Sequence, residues 1–273
     1  MRDPQLPAAP GAEARPGVRP DVLVCAGLDP SGGAGLLADA RVISELGGRP
    51  VGVVTALTVQ NTTSMVSSEP VSAELIREQL EFLLSDVEVR AVKLGLLGSA
   101  DVARAIGEAL ALTQAPVVWD PVLQSTLGNV RFSDSLAGHA VAALAPHIAL
   151  VTPNAAELAF LTGAPVGTLD EARAAGRSLA ERLTTAVLVK GGHLGGGEAV
   201  DVLCVAGGTE LLHGPRLEGG EHVHGTGCAL ASAIAVELAR GAELVEACRA
   251  AKAYVAARIA APARPGRGAA AIV

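Results

Sequence analysis

The residues best suited to chemistry form the segment His224-Gly225-Thr226-Gly227-Cys228, which leads into an apolar helical pattern. At the start of a helix the first backbone N–H groups lack partners and the helix dipole is positive, so anions bind there. A thiol in the first helical turn is expected to have a lowered pKa and to be able to serve as a base. The segment therefore suits an enzyme that holds a phosphoryl group while it deprotonates an acceptor hydroxyl. The competing interpretation is a plain helix start whose glycines permit a tight turn.

Further polar residues follow apolar runs that have the character of buried strands. A glycine-rich segment over 26–35 follows the first run and opens a helix that contains Asp39. Its spacing matches neither a Walker A loop nor the GxGxxG fingerprint. Gln60 follows the second run, Asp120 ends a later one, and Lys190 precedes a glycine-rich turn. Because ligands of open α/β sheets bind at the carboxyl ends of the strands, these residues are expected to share one site.

The pattern Asn154-Ala155-Ala156-Glu157 lies at a predicted junction between a strand and a helix. Residues three apart share one face of a helix, so the amide and the carboxylate could converge on one metal-bound water. The competing explanation is a capping-box-like arrangement, in which the two side chains bond to backbone groups of the first helical turn.

Apolar runs alternate with helical patterns along most of the chain, which indicates an α/β fold: a mainly parallel central sheet with helices on both faces. The predicted strands cover 21–26, 51–58, 91–96, 117–119, 148–152 and 186–190, and a small antiparallel hairpin covers 200–205 and 210–212. The predicted helices cover 34–46, 72–84, a segment capped by Ser99, a short segment up to Leu161, 169–183, 228–240 and 242–259. We expect one domain over 21–262, a disordered N-terminal tail over 1–20 and a flexible C-terminal tail over 263–273.

Composition and charge exclude several classes of protein. The 273-residue chain has a formal net charge of −7 and 2% aromatic residues, without a basic cluster, which argues against nucleic-acid binding. Its four cysteines are widely spaced and form no CxxC pair, which argues against a disulfide framework or a structural zinc site. The N-terminal residues lack the apolar core of a signal peptide, and no apolar run approaches the ~20 residues that cross a bilayer. We therefore expect a soluble, cytoplasmic protein that does not bind membranes.

Several segments together resemble the hydroxymethylpyrimidine/phosphomethylpyrimidine kinases of thiamine biosynthesis. The run from Gly27 to Thr62 is similar to that family's N-terminal pattern, AGxDPSGGAGxxAD followed by TAxxxQNT. Later family motifs are matched in the same order by segments that begin at Asp120, Thr152, Lys190 and His224. The resemblance covers roughly residues 21–260 and implies a ribokinase-like fold.

What the resemblance implies is an ATP-dependent kinase that phosphorylates 4-amino-5-hydroxymethyl-2-methylpyrimidine and then its monophosphate. It also implies ATP and Mg²⁺ as cofactors and a homodimer. The residues that match the family's pyrimidine site are Gly27, Asp39, Gln60, Leu96 and Val122. Cys228 matches the proposed base, and the backbone of Gly225, Thr226 and Gly227 forms the anion hole with it. The positions that match the nucleotide site are Asp120, Asn154, Glu157 and Lys190, of which Asp120 and Glu157 would hold the metal.

One departure from the family and two other functions stay open. Many members have a Lys-Ser-Gly segment where this chain has Gln-Ser-Thr-Leu-Gly at 124–128, which leaves the efficiency of the second phosphorylation open. A pyridoxal or pyridoxine kinase of the same superfamily is the nearest rival, although Gln60 with Asp39 favours an aminopyrimidine. A non-catalytic pyrimidine-sensing protein is the other alternative. A sugar kinase is disfavoured because Cys228 replaces the aspartate base of those enzymes.

Overall fold

The strands form one nine-stranded and one two-stranded sheet in the computed structural model, which describes residues 19–123, 134–194 and 196–272. They are β1 (Asp21–Leu28), β2 (Arg49–Gln60), β3 (Met65–Pro70), β4 (Ala91–Leu94), β5 (Val117–Trp119), β6 (Ile148–Val151), β7 (Ala186–Val189), β8 (Asp201–Val205), β9 (Gly208–Leu212), β10 (Val223–His224) and β11 (Ala270–Ala271). The order in the large sheet is β3-β2-β1-β4-β5-β6-β7-β8-β9. The six central strands, β2-β1-β4-β5-β6-β7, are parallel to one another. The strands β3, β8 and β9 pair antiparallel with their neighbours.

Helices cover both faces of this sheet. They are α1 (Gly35–Glu45), α2 (Ala73–Leu84), α3 (Ala100–Leu110), α4 (Asp134–Leu144), α5 (Ala155–Thr162), α6 (Leu169–Leu183), α7 (Thr226–Ala239) and α8 (Leu244–Ala260). One apolar core joins the sheet to the helices from α2 to α6, and a second core joins the opposite face to α1, α7 and α8. In the described part of the chain, every helix is too short or too polar to cross a membrane.

The first strand shows why the sheet is buried on both faces. Val22 and Val24 belong to the core with α7 and α8, whereas Leu23 and Cys25 belong to the core on the other side. Successive side chains of a strand point to opposite faces, so an unbroken apolar run needs cover on both. The α/β fold with a mainly parallel sheet, which the sequence predicts, is thereby confirmed.

Most predicted elements agree with the structure within a few residues. The helix over 169–183 has the predicted bounds, and the serine side chains at 72 and 99 cap α2 and α3 by accepting bonds from Leu75 N and Val102 N. The predicted hairpin is formed by β8 and β9. The edge strand β3 and the helix α4 are absent from the predicted elements. Strand β3 has few apolar residues and is defined by its pairing with β2. Residues 1–18 of the predicted tail and the departure at 124–128 lie outside the described residues.

The segment over 263–272 differs from the flexible tail that its composition predicts. Strand β11 pairs in parallel with β10, and Ile272 N donates a hydrogen bond to the His224 carbonyl oxygen at 3.1 Å. Ala269 N donates to the Thr62 carbonyl oxygen at 2.8 Å. Ala271 and Ile272 are 1% exposed, so the burial of their apolar side chains stabilises the packing of this segment. The local composition does not reveal this burial.

Candidate active site

A cavity of about 250 Å³ opens at the carboxyl ends of the parallel strands. Its wall comes from the ends of β1, β2 and β4, from the segments after β5 and β7, and from the first turn of α7. The predicted site residues that line it are Gly27, Gln60, Leu96, Asp120, Val122, Asn154, Glu157, Lys190, Gly225, Thr226, Gly227 and Cys228. The folding of the sheet therefore brings together residues that lie far apart in the sequence, as expected for this class of fold.

The first turn of α7 presents backbone N–H groups to the cavity. Gly225 is the N-cap residue with φ of +85°, and within the described residues the helix start receives no capping bond from a side chain. The N–H groups from Thr226 to Cys228 are therefore available to an anion. A Cβ atom on Gly225 would overlap the carbonyl oxygen of Gly33, so glycine is needed both for the backbone angle and for the close approach of the two loops.

An ammonium group and two carboxylates lie beside this turn. Lys190 Nζ lies 2.6 Å from Asp120 Oδ1 and 3.6 Å from Glu157 Oε2. A Cβ atom on Gly227 would lie 2.9 Å from Lys190 Nζ, so the ammonium group adjoins the N–H groups of α7. Burial acts to raise the pKa of Asp120, but the ammonium groups of Lys190 and Lys93 outweigh it and the pKa is lowered. For Glu157 burial dominates and raises the pKa. Asp120 is therefore the more firmly ionised of the two carboxylates.

The pair Asn154 and Glu157 forms a capping box. Asn154 Oδ1 accepts a bond of 2.9 Å from Glu157 N, and Glu157 Oε2 accepts one of 2.7 Å from Asn154 N. Of the two explanations offered for this pattern, the structure therefore supports the capping box. The box fixes the Glu157 carboxylate at the cavity wall.

A magnesium ion fits the carboxylates only if phosphate or water completes its coordination. In the described part of the chain no group of three or more His, Cys, Asp or Glu side chains is arranged to hold a metal ion. Mg²⁺ in proteins is often held by one or two carboxylates together with substrate phosphates and water. Asp120 and Glu157, which flank Lys190 and face the turn of α7, match that mode of binding.

The Cys228 side chain is half-buried at the cavity wall, and the Gly35 backbone N–H acts to lower the pKa of its thiol. Burial raises the pKa of this thiol to about 12, while the Lys93 ammonium group acts in the opposite direction. The prediction of a lowered pKa is therefore wrong for the unliganded site. The reason is that loss of water around the sulfur outweighs the helix dipole and the neighbouring cation.

Asp39 lies behind the cavity rather than in its wall. Its side chain is completely buried, Oδ2 lies 2.6 Å from Lys93 Nζ, and Oδ1 accepts a bond of 2.8 Å from Ser232 Oγ. Both carboxylate oxygens are thus already bonded within the protein. Its position on α1 turns the side chain toward α7 and β4, and its contact with the pyrimidine stays a prediction.

Lys93 lines the cavity but was not predicted as a site residue. It is completely buried in β4, whose other three residues are Ala91, Val92 and Leu94. A lysine is almost never fully buried without a partner. A lysine inside an otherwise apolar strand is therefore the sequence signal that could have identified Lys93 as a site residue.

Asp29 is a second site residue that the prediction left out. It lines the cavity and accepts hydrogen bonds from Ser31 N and Ser31 Oγ, at 2.8 and 2.7 Å, and from Ala34 N at 3.0 Å. His224 Nε2 lies 3.5 Å from Asp29 Oδ2. Burial acts to raise the pKa of Asp29, but the surrounding donors, which include Gln60, outweigh it and lower the pKa to about 2. Asp29 is therefore an ionised acceptor beside Gln60.

A second cavity, of about 390 Å³, adjoins the first. The residues common to both walls are Lys190, Gly192, Gly220, Glu221, Thr226 and Gly227. Beyond them the wall includes Leu212, Val255 and Ile259, and therefore has apolar surfaces contributed by β9 and α8. A largely apolar cleft that leads to an ammonium group and helix N–H groups suits an elongated ligand with a flat ring at one end and phosphates at the other.

Comparison with known proteins gives a consistent result. The sequence model of the phosphomethylpyrimidine kinase family matches residues 29–272. A hydroxymethylpyrimidine/phosphomethylpyrimidine kinase of Rhizobium meliloti (strain 1021) is 40% identical over 252 residues, which cover 90% of this chain and 94% of that protein.

Two solved structures share the fold. A pyridoxal kinase from Staphylococcus aureus in complex with ADP has a TM-score of 0.86 and 26% identity, and the match covers 94% of each chain. A phosphomethylpyrimidine kinase from Clostridium difficile 630 has a TM-score of 0.76 and 32% identity, and the match covers 89% of this chain and all of that one. The backbone is thus similar to kinases of two substrate classes, while the sequence is more similar to the pyrimidine class.

Proposed function

Because the chain belongs to the phosphomethylpyrimidine kinase family, with its ribokinase-like fold, we propose that it phosphorylates 4-amino-5-hydroxymethyl-2-methylpyrimidine and then its monophosphate. The phosphoryl donor is ATP, and the product serves thiamine biosynthesis. The observation that carries this proposal is a single cavity in which a thiol, unpaired helix N–H groups and a lysine meet polar groups suited to a nitrogen heterocycle.

The acceptor end of the cavity supports an aminopyrimidine. Leu96 and Val122 provide apolar contacts for a flat ring, and Gly27 leaves room beside Leu96. The Gln60 amide can both donate and accept hydrogen bonds, as the edge of an aminopyrimidine requires. Asp29 adds an acceptor to the predicted set, because it lines the cavity and its lowered pKa keeps it ionised.

The phosphoryl end supports transfer by positioning and charge. The N–H groups from Thr226 to Cys228 and the Lys190 ammonium group would hold the transferred phosphoryl, whose charge grows along the reaction. Asp120 and Glu157 would hold Mg²⁺, and Asn154 would fix Glu157 through the capping box. When bound, the metal ion would neutralise part of the negative charge on the phosphates.

Bond changes in the first step follow from this geometry. The hydroxymethyl oxygen forms a bond to the γ-phosphorus, the bond from that phosphorus to the bridging oxygen of ADP breaks, and ADP leaves. The hydroxyl proton passes to the sulfur of Cys228, which lies at the same turn as the N–H groups. Burial raises the pKa of this thiol, and the Lys93 ammonium group acts to lower it and so favours the thiolate that accepts the proton.

The second cavity supports nucleotide binding. ATP would place its base between the apolar residues of β9 and α8 and its phosphates at the shared wall, where Lys190 and Gly227 lie. The similarity to a kinase structure that contains ADP supports the same assignment.

Release of ADP with several acceptors tests the function directly. With ATP and Mg²⁺, we expect ADP and phosphorylated product from the pyrimidine alcohol and from its monophosphate, and loss of both reactions when the metal is removed. Pyridoxine and pyridoxal should be at least about tenfold poorer in kcat/KM, because Gln60 and Asp29 would lose partners on those rings. A preference for pyridoxal would overturn the assignment, and pyrimidine binding without ADP release would identify a sensing protein instead.

We also propose a homodimer. Leu57 and Val59 on β2 and Val66 on the edge strand β3 are 51%, 60% and 73% exposed, so this edge of the sheet presents several apolar side chains to the surface. A glutamate at Val59 should therefore shift the protein toward monomer in sedimentation equilibrium. Leu112→Glu, at an exposed position beyond α3, is the matched control and should leave the mass unchanged. A wild-type protein that sediments as a monomer would refute the dimer.

A further inference from the structure

The ion pair between Lys93 and Asp39 has no role in the chemistry described so far. Both side chains are completely buried, and their charged atoms lie 2.6 Å apart. Replacement of such a pair by apolar residues is often neutral or stabilising in other proteins, so its presence is weak support for a purely structural role. The pair also lies next to a cavity that Lys93 itself lines.

Helix geometry connects this pair to Cys228. Ser232 Oγ donates a bond of 2.8 Å to Asp39 Oδ1, and Ser232 lies four residues after Cys228 on α7. Residues four apart share one face of a helix, so Cys228 and Ser232 both face α1 and β4. Gly35, at the start of α1, and Lys93 line the same cavity as Cys228. The sulfur and the Lys93 ammonium group therefore belong to one buried cluster.

The charges around the sulfur come from four elements. Lys93 on β4 and Lys190 after β7 favour the anionic form of Cys228, whereas Asp39 on α1 and Asp120 after β5 disfavour it. Lys190 is engaged by Asp120 and Glu157 and is expected to turn to phosphate when the nucleotide binds. Lys93 has only the buried Asp39 as an ion-pair partner among the described residues, so its charge stays beside the sulfur throughout the reaction.

We propose that Lys93 is a positioning residue of the phosphoryl-transfer step: its ammonium group, held by Asp39 and Ser232, is the permanent counter-ion of the Cys228 thiolate. Asp39 sets the strength of this effect, because it both holds the ammonium group and partly cancels its charge. The inference rests on the proposed function, in which Cys228 is the base.

The test compares wild type with Asp39→Asn/Lys93→Met, which removes both charges of the buried pair together and leaves no unpaired buried charge. The readout is the rate of alkylation of Cys228 by iodoacetamide as a function of pH, with the modified residue located by mass spectrometry. The double variant should react about threefold or more slowly than wild type, because Lys93 acts on the sulfur more strongly than Asp39 does. One pKa unit changes the thiolate tenfold, and nucleophilicity offsets part of that change.

The other three cysteines provide the control for folding. Cys25, Cys204 and Cys248 are completely buried and should stay unmodified in every folded variant. Equal Cys228 rates in wild type and the double variant, with these cysteines protected, would overturn the inference. Because alkylation uses neither ATP nor pyrimidine, the outcome is independent of turnover. A chain with the expected rates and no kinase activity would refute the proposed function and leave the lysine assignment standing.

Discussion

Cys228→Ala is expected to lower kcat for phosphorylation of the pyrimidine alcohol by about 10²- to 10⁴-fold, which is the usual contribution of a general base. The sulfur lies in the first turn of α7, the proposed site of the transferred phosphoryl group. Product formation measured under saturating ATP and Mg²⁺ gives the result. Near-normal turnover of the alcohol would reject Cys228 as the base.

The second phosphorylation provides an internal control for this variant. A phosphate monoester has a second pKa near ~6, so its oxygen is largely deprotonated at neutral pH and needs no base. Cys228→Ala should therefore reduce transfer to the monophosphate much less than transfer to the alcohol. Equal losses in both steps would indicate that the sulfur supports the site in some other way. Cys248→Ala, in the core between α7 and α8, should leave both steps near wild type.

Gly225→Ala is expected to lower kcat by at least about 10²-fold, which is the loss for one displaced donor of an anion hole. The residue has φ of +85°, and its new Cβ atom would overlap the Gly33 carbonyl oxygen. The turn from Gly225 to Cys228 must therefore move away from the glycine-rich loop. Steady-state kinetics should show this as a fall in kcat for both phosphorylation steps, because both use the same N–H groups.

A substitution at Gly163 is the control that separates the effect of backbone strain from the effect of displacing the turn at Gly225. Gly163, the C-cap of α5, has φ of +73°, and in the described part of the chain nothing lies within 4 Å of a Cβ atom added there. Gly163→Ala carries a similar conformational cost of about 1–2 kcal/mol without the overlap. It should lower the free energy of unfolding by that amount and leave kcat unchanged. If Gly225→Ala behaves in the same way, the anion-hole assignment fails.

The elements could be predicted well where their signals are local. The capping serines, the glycines after helices and the apolar runs lie within a few residues of the structure they direct, and so α6 and the hairpin of β8 and β9 were predicted closely. Placement of the site was also predictable, because the carboxyl ends of parallel strands meet at one edge of a sheet. The edge strand β3 could not be predicted in this way, because a largely exposed strand is defined by its pairing with a neighbour, here β2.

Electrostatics at the site could not be read from the sequence. A thiol at a helix start predicts a lowered pKa, yet burial raises the pKa of Cys228 to about 12. The motif that contains Asp39 does not reveal that Lys93 and Ser232, from β4 and α7, occupy both of its oxygens. Such effects depend on how deeply a group is buried and on which charges surround it in space.

The sequence by itself determined most of the order of strands and helices, the glycine-containing turn at the start of α7, and most of the polar residues at the strand ends. These features arise from periodicity and backbone preference, which act over short stretches of chain. Only the tertiary structure decided that Asp29 rather than Asp39 lines the cavity, that Lys93 and Cys228 share its wall, and that the last residues pack against His224 and Thr62. Those outcomes depend on contacts between distant segments, and burial and charge act through such contacts.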